Sequence, residues 1–308
     1  MTTFATSTGG PHAPRRSCLF VPALGDLAAA AASEADSLLF DLEDACPPDK
    51  KADGRAQVAS ALASGTFDGK TCTVRVNAVS TPWCYRDIID VVGGAEGHLD
   101  SITIPKLTDE SEVMFVDHLL TQLELDLGLT GTIGLELMVE TAGAVARMRE
   151  VAYASERTVA LVFGPHDYVI SLGYENFGWG VTMVPNSNFQ LGWAMHEIST
   201  HAHARGLLAI DGVARPFNEE DYRAASREAL LIGFDGKWCM NEDEVAWANE
   251  TWTPELSVFQ KAESLLAEAQ SAGTPAPGTT VVPPNDALLD QAARIAARGH
   301  RAGLRASG

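Results

Sequence analysis

Residues 37–45 read SLLFDLEDA, in which a nearly continuous apolar run over 37–42 (SLLFDL) passes directly into Asp41, Glu43 and Asp44. Such a run is what a parallel strand looks like when helices cover it. Seven more share its character: 17–22 (SCLFVP), 72–77 (CTVRVN), 101–105 (SITIP), 133–139 (IGLELMV), 158–163 (TVALVF), 207–210 (LLAI) and 233–239 (GFDGKWC). Ala-rich or amphipathic stretches lie between them, among them 26–35, 50–63, 110–125, 142–154 and 193–205. Eight strand–helix alternations in about 240 residues predict a (β/α)8 TIM barrel. An open doubly wound sheet is the alternative. It would normally carry a G-x-G-x-x-G turn after its first strand, and residues 22–26 (PALGD) have none.

Three regions follow from this pattern. Residues 1–14 read as a polar, flexible tail and 15–255 as the barrel. Residues 256–308 read as a short C-terminal helical lid, built from a helix over 255–272, a Pro/Gly-rich connector over 273–284 and a last helix over 286–298. The whole chain has 308 residues, 41 acidic against 22 basic, for a net charge of −19. That balance argues against a nucleic-acid or anionic-membrane surface. No run approaches the ~18 apolar residues of a membrane span, and the opening residues lack the apolar core of a secretory signal. The five cysteines (Cys18, Cys46, Cys72, Cys84, Cys239) are odd in number and widely spaced, with no C-x-x-C pair. They predict free thiols in a reducing, cytoplasmic setting.

In a barrel the chemistry sits at the C-terminal ends of the strands, and unusual polar residues collect there. Asp41, Glu43 and Asp44 close the second run, Arg75 and Asn77 the third and Lys106 the fourth. Glu140 follows the fifth, residues 164–167 (GPHD) follow the sixth, and Asp211 and Gly212 follow the seventh. Taken singly, each carboxylate is as easily part of a structural ion network, and Glu136 alternates in phase with Glu140. His166 reads as a hydrogen-bonded loop histidine, and Trp193, Trp238, Trp247 and Trp252 as packing aromatics. Together, Glu140 and Asp167 form an oxygen-only pair suited to Mg2+, which takes one or two protein carboxylates plus substrate oxygens and water. Arg75 beside them suits a carboxylate or a developing enolate. This chemistry points to metal-assisted aldol or Claisen cleavage of an oxyacid. No G-x-S-x-G elbow or Walker-type loop is present to suggest serine hydrolysis or phosphoryl transfer.

At these residues the chain resembles the HpcH/HpaI aldolase and citrate lyase β-subunit superfamily. The matching pieces are residues 16–22, 39–45 with Pro47, Pro48, Lys51 and Arg55, then 75–77, 104–106, 139–142 and 163–168. Within the superfamily, residues 85–92 and the Asp211–Gly212 pair look most like malyl-CoA and β-methylmalyl-CoA lyases. The resemblance implies an Mg2+-dependent barrel, with Mn2+ a possible substitute, that splits a 3-hydroxyacyl-CoA into glyoxylate and acetyl- or propionyl-CoA. Carried over, Glu140 and Asp167 would hold the metal, and Arg75 would stabilise the charged oxygen. Asp41, Glu43 and Asp44 would form an acidic floor, with Glu43 or Asp44 holding metal-bound water and Lys106 meeting substrate. Arg16 would lie near the CoA entrance. A homo-oligomer, a trimer or hexamer, would share its lids between subunits, making Asp290 the acid/base from a neighbour. Other activities compatible with the resemblance are malyl-CoA hydrolysis, cleavage of a non-CoA 2-oxo acid, or service as a partner-dependent citrate-lyase-type subunit. The chain departs from the family pattern in lacking a first-helix lysine. It also has Met240-Asn241-Glu242 in place of Ile-His-Pro, and residues 213–216 (VARP) in place of Pro-Phe-Gly.

Overall fold

Eight parallel strands close on themselves in sequence order: β1 (Ser17–Pro22), β2 (Ser37–Asp41), β3 (Thr71–Arg75), β4 (Ser101–Ile104), β5 (Gly134–Val139), β6 (Thr158–Phe163), β7 (Leu208–Asp211) and β8 (Gly236–Cys239). Pairing of β1 with β8 completes the barrel. The computed structural model describes residues 10–67, 69–129, 131–173, 191–213, 218–271 and 286–305. All eight apolar runs form strands, differing from expectation only at their ends. Around them lie α1 (Leu27–Ala31), α2 (Lys51–Ala63), α3 (Cys84–Gly94), α4 (Glu110–Leu127), α5 (Ala142–Ala146), α6 (Met148–Ala152), α7 (Pro165–Ser171), α8 (Gly192–Ala204), α9 (Glu219–Ile232) and α10 (Glu242–Trp252).

The period of two along each strand separates two cores. Cys18, Leu39, Met138, Ala160, Val162, Leu208, Ile210 and Trp238 pack together inside the barrel. Their neighbours along the strands, such as Leu19, Leu38, Phe40, Val74, Leu137 and Leu161, pack outward against the helices. All five cysteines are buried thiols outside any disulfide, as expected. Trp238 and Trp252 are buried, whereas Trp193 is 61% exposed and is no core aromatic. Among the described residues no helix is long and apolar enough to cross a membrane.

Local chemistry sets the helix ends. The stretch 26–35 yields only the short α1, because Ser33 turns its Oγ back to accept from the Ala35 amide at 3.1 Å, a bond that competes with helix. The departure at residues 240–242 also has a local reason. Asn241 accepts from the Glu244 amide at 3.0 Å, while Glu244 accepts from the Met240 amide at 2.8 Å. These reciprocal bonds cap α10.

The floor of the barrel, at the N-terminal ends of the strands, is closed by charge. Arg15 is fully buried and its guanidinium pairs with Glu136, which also accepts from Ser101 Oγ at 2.7 Å and Thr103 Oγ1 at 3.3 Å. Glu136 therefore faces the barrel, as its phase implied, but serves the floor. Ala13 and Pro14, placed in the tail by composition, are buried beneath it. Residues 1–9 of that tail lie outside the described residues.

The C-terminal helices α11 (Leu256–Ser271) and α12 (Asp286–Arg301) form a pair that also docks at this lower end. Arg301 Nε lies 2.9 Å from Asp36, just before β2, and Arg294 and Arg298 lie 3.7 and 3.8 Å from Asp235, just before β8. Within this chain the segment is a brace under the barrel. The connector at 273–284 lies outside the described residues.

Removing one partner of a buried ion pair strands the other charge in a dry interior. Glu136→Ala should therefore cost about 3–5 kcal/mol in urea unfolding. A loss below about 1 kcal/mol would show that the pair adds little beyond an ordinary surface contact.

Candidate active site

Asp41, the last residue of β2, is fully buried. Its two oxygens accept the backbone N–H groups of Glu43 at 3.1 Å and Ala45 at 2.8 Å. The strand end thus bends into a tight turn that presents Glu43 to the top of β3 and β4. Arg75, at the end of β3, donates from Nε to Asp41 Oδ1 at 2.5 Å and places Nη1 2.9 Å from Glu43 Oε2. Its guanidinium carbon lies 5.5 Å from the Phe20 ring and 5.6 Å from that of Trp238. Burial alone would lower the Arg75 pKa, but Asp41 and Glu43 outweigh it and hold the group firmly protonated.

Lys106, just past β4, has φ +53°, the left-handed region that a side chain normally avoids. The backbone turn aims its amide at Glu140 Oε1, 2.7 Å away, while its ammonium reaches Glu43 Oε1 at 2.6 Å and Asp44 Oδ1 at 3.1 Å. Asp167 Oδ2 lies 4.0 Å from the same ammonium. Strain of this kind persists only where surrounding contacts over-determine it.

Glu140, just past β5, is buried and tightly enclosed. Gly164 backs directly onto it: a Cβ at position 164 would come within 2.4 Å of Glu140 Oε2. Only glycine permits this approach, and Pro165 then starts α7 so that Asp167 falls in its first turn. Burial, followed by the charges of Glu43 and Asp167, pushes the Glu140 carboxyl well above the usual range. Glu43 is raised too, chiefly by burial, with Arg75 and Lys106 working against the shift.

Asp41, Glu43, Asp44, Glu140 and Asp167 thus gather around two side-chain cations, Arg75 and Lys106. The surplus of acid suits a hard divalent cation. One buried acceptor supports the fit: Glu43 Oε2 meets Arg75 at ion-pair distance but accepts no aligned hydrogen bond. A cation-held water or a substrate hydroxyl would supply that donor. Among the described residues no three Asp, Glu, His or Cys side chains form a protein-only metal cage. A magnesium ion on Glu140 and Asp167 would complete its shell with water and substrate oxygens.

A family model for HpcH/HpaI aldolase/citrate lyase matches residues 16–242, the span that carries every one of these strands and acids. The chain belongs to the HpcH/HpaI aldolase/citrate lyase family. It is a carbon–carbon lyase by that membership. The L-malyl-CoA/beta-methylmalyl-CoA lyase of Cereibacter sphaeroides is 33% identical over 292 residues, covering 90% of this chain and 91% of that protein. A citrate lyase from Burkholderia xenovorans LB400 has the same fold, with a TM-score of 0.76 at 20% identity over 94% of this chain and 93% of that one. So does CitE of Mycobacterium tuberculosis in complex with magnesium, acetoacetate and coenzyme A, at TM-score 0.64 and 24% identity over 94% of this chain and 98% of that one.

Against the family pattern, the strand-end acids, Arg75 and Lys106 come together as the sequence anticipated, and two other residues do not. Arg16 precedes β1, so it lies at the opposite end of the barrel from the site. Its guanidinium binds both oxygens of Asp36, at 2.8 and 2.9 Å, and Thr253 Oγ1 at 2.9 Å, so it cannot mark a CoA entrance in its own site. Asp290 lies on α12, the brace beneath the barrel, and is exposed there. It does not reach the acids of its own chain, and the basic C-terminal helix does not cover this chain's own site. Asp211 points into the helix layer rather than the barrel, pairing with buried Lys237. Gly212 beside it packs so closely on β6 that a Cβ would lie 1.9 Å from the Phe163 carbonyl oxygen. Residues 214–216 of the VARP departure lie outside the described residues. His166 sits in the first turn of α7.

Sequence reasoning assigned no role to Lys51, Asn77 or Asp87, which support the turn from behind. Asn77 donates to the Leu42 carbonyl at 3.0 Å and to Asp87 Oδ2 at 2.5 Å. Asp87 in turn accepts from Arg55 at 3.2 Å.

A carboxyl whose pKa is raised by folding stabilises the fold while protonated and loses that contribution as pH rises through its folded-state pKa. Glu140→Gln keeps the acceptor for the Lys106 amide without the charge. In metal-free protein it should raise the thermal midpoint relative to wild type, by an amount that grows as pH climbs above about 4.5, the ordinary glutamate value. A gap that stays constant or reverses with rising pH would contradict the charge crowding.

Proposed function

We propose that this chain is an Mg2+-dependent lyase that cleaves a 3-hydroxyacyl-CoA of the malyl-CoA type into glyoxylate and acetyl- or propionyl-CoA, with Mn2+ able to replace Mg2+. The observation that carries the reading is the buried acidic surplus around Arg75 at the C-terminal strand ends, in a chain 33% identical to a malyl-CoA lyase. The structural neighbour that carries magnesium, acetoacetate and coenzyme A supports the choice of metal and thioester.

Glu140 and Asp167 would hold the ion. When bound, Mg2+ supplies Lewis-acid polarisation of the oxo-acid oxygens. Arg75, fixed by Asp41 and stacked near two aromatic rings, presents its guanidinium to the oxygen on which negative charge grows as the carbon–carbon bond breaks. Because Asp41 and Glu43 already orient it, little reorganisation is needed during the reaction. Glu43 holds a water or substrate hydroxyl through its unbonded Oε2, with Asp44 beside it. Lys106 meets the substrate carboxylate from the same side.

The cleavage needs a base for the hydroxyl proton and an acid for the departing thioester carbanion. Asp290 of a second copy fits that task, since on its own chain it lies at the far end of the barrel. That assignment implies a homo-oligomer, a trimer or hexamer, in which each C-terminal segment serves a neighbour and keeps water from the reactive carbanion. The CoA phosphates must be met by groups other than this subunit's Arg16.

Pure protein with Mg2+ should release glyoxylate and an acyl-CoA from malyl-CoA, read by mass spectrometry, with citramalyl-CoA and free hydroxyacids as comparisons. Glu140→Ala and Asp167→Ala should each lose turnover by at least about a hundredfold. Malate and free CoA as the products would make it a thioesterase, and normal turnover in both variants would overturn the metal assignment.

A further inference from the structure

Behind the acidic turn lies a buried cation that neither the floor nor the chemistry above uses. Lys51, the first residue of α2, is 5% exposed. Its ammonium donates to the Leu42 carbonyl at 2.6 Å and to the Glu43 carbonyl at 2.7 Å, and lies 5.3 Å from the centre of the Trp83 ring. Among the described residues it pairs with no carboxylate. Burying an ammonium is costly unless its protons are satisfied, so a lysine held only by two carbonyls and an aromatic face needs a reason.

The reason is visible in the turn it grips. Every other polar backbone group from Leu42 to Glu43 is also held. The Leu42 amide donates to the Arg75 carbonyl at 2.9 Å, and the Glu43 amide to Asp41. The Glu43 carbonyl additionally accepts from the Cys46 amide at 3.2 Å. Asp41 thus holds the turn by its N–H groups from inside the barrel, and Lys51 holds it by its carbonyls from outside. Between these two grips the Glu43 side chain has one direction left, between Arg75 and Lys106. Asn77 shares the Leu42 carbonyl but does not touch that of Glu43, so among the described residues only Lys51 spans both.

We propose that Lys51 is a positioning residue for Glu43: by clamping two successive carbonyls it fixes the backbone from which Glu43 reaches into the site. The proposal rests on the lyase reading for its kinetic consequence and on the turn geometry for its structural one. Groups that orient a reacting or metal-holding side chain typically matter by 10–100-fold when lost. Lys51→Met should therefore lower kcat by about tenfold or more, with KM changed by less than about threefold. If it acts through Glu43, the loss should vanish in a Glu43→Gln background, because neighbours acting as a unit are not additive.

The experiment pairs these kinetics with residue-resolved amide exchange of the metal-free protein. In Lys51→Met the Glu43, Ala45 and Cys46 amides should exchange about tenfold faster or more, while β5 and β6 keep their protection. Lys51→Gln, which keeps a neutral amide donor group on a shorter chain, should show the same pattern at smaller size and serves if the Met variant fails to fold. Wild-type exchange in the turn, wild-type kcat, or a loss that adds fully to that of Glu43→Gln would each overturn the proposal. A wild-type protein that cleaves no acyl-CoA would instead remove the lyase reading, and the exchange rates alone would then judge the clamp.

Discussion

The Arg75 guanidinium holds Asp41 at 2.5 Å and Glu43 at 2.9 Å in a space walled by Phe20 and Trp238. Without it, Asp41 would be an unpaired buried charge and the turn carrying Glu43 would lose its reason to fold inward. With it, a strand end, a tight turn and a third strand share one electrostatic centre. Lys106 extends that centre toward Asp44 and Asp167 at the cost of a left-handed backbone. Even so the charges do not balance, and Glu140 is held as a carboxyl well above its usual range. A further positive charge would offset that imbalance.

The two ends of the barrel divide their labour. At the lower end, arginines outnumber the acids they meet: Arg15 with Glu136, Arg16 and Arg301 with Asp36, Arg294 and Arg298 near Asp235. At the upper end acid is in excess, and Gly164 gives up a side chain so that Glu140 can sit against its backbone. Local rules are obeyed where the chain needs only to be stable and broken where chemistry is done. The family relationship makes the chain a lyase, and the fold neighbours share its barrel.

Most of the architecture was legible because parallel strands under helices write themselves as continuous apolar runs, and all eight did. The acids were legible because a charge inside such a run demands a partner. What failed was direction. Arg16 carries a family-like motif, but it precedes its strand, and a parallel barrel sends everything before a strand to the stable end. Asp211 failed by parity, since it shares the outward face with Ala209 while Ile210 points in. Lys51 was invisible as a support because its partners are backbone carbonyls, which leave no complementary residue in the sequence. The C-terminal helices were recognised as helices, but only the Asp36 and Asp235 contacts place them beneath the barrel.

On this reading the acidic excess between β5 and β6 binds a divalent cation. Anomalous diffraction from crystals grown with Mn2+ tests it most directly. A manganese peak bonded to Glu140 and Asp167 is expected, with Lys106 displaced from Asp167 or turned wholly to Glu43 and Asp44. Saturating Mn2+ with no peak at these two carboxylates, and Lys106 still bridging Glu43, Asp44 and Asp167, would contradict it.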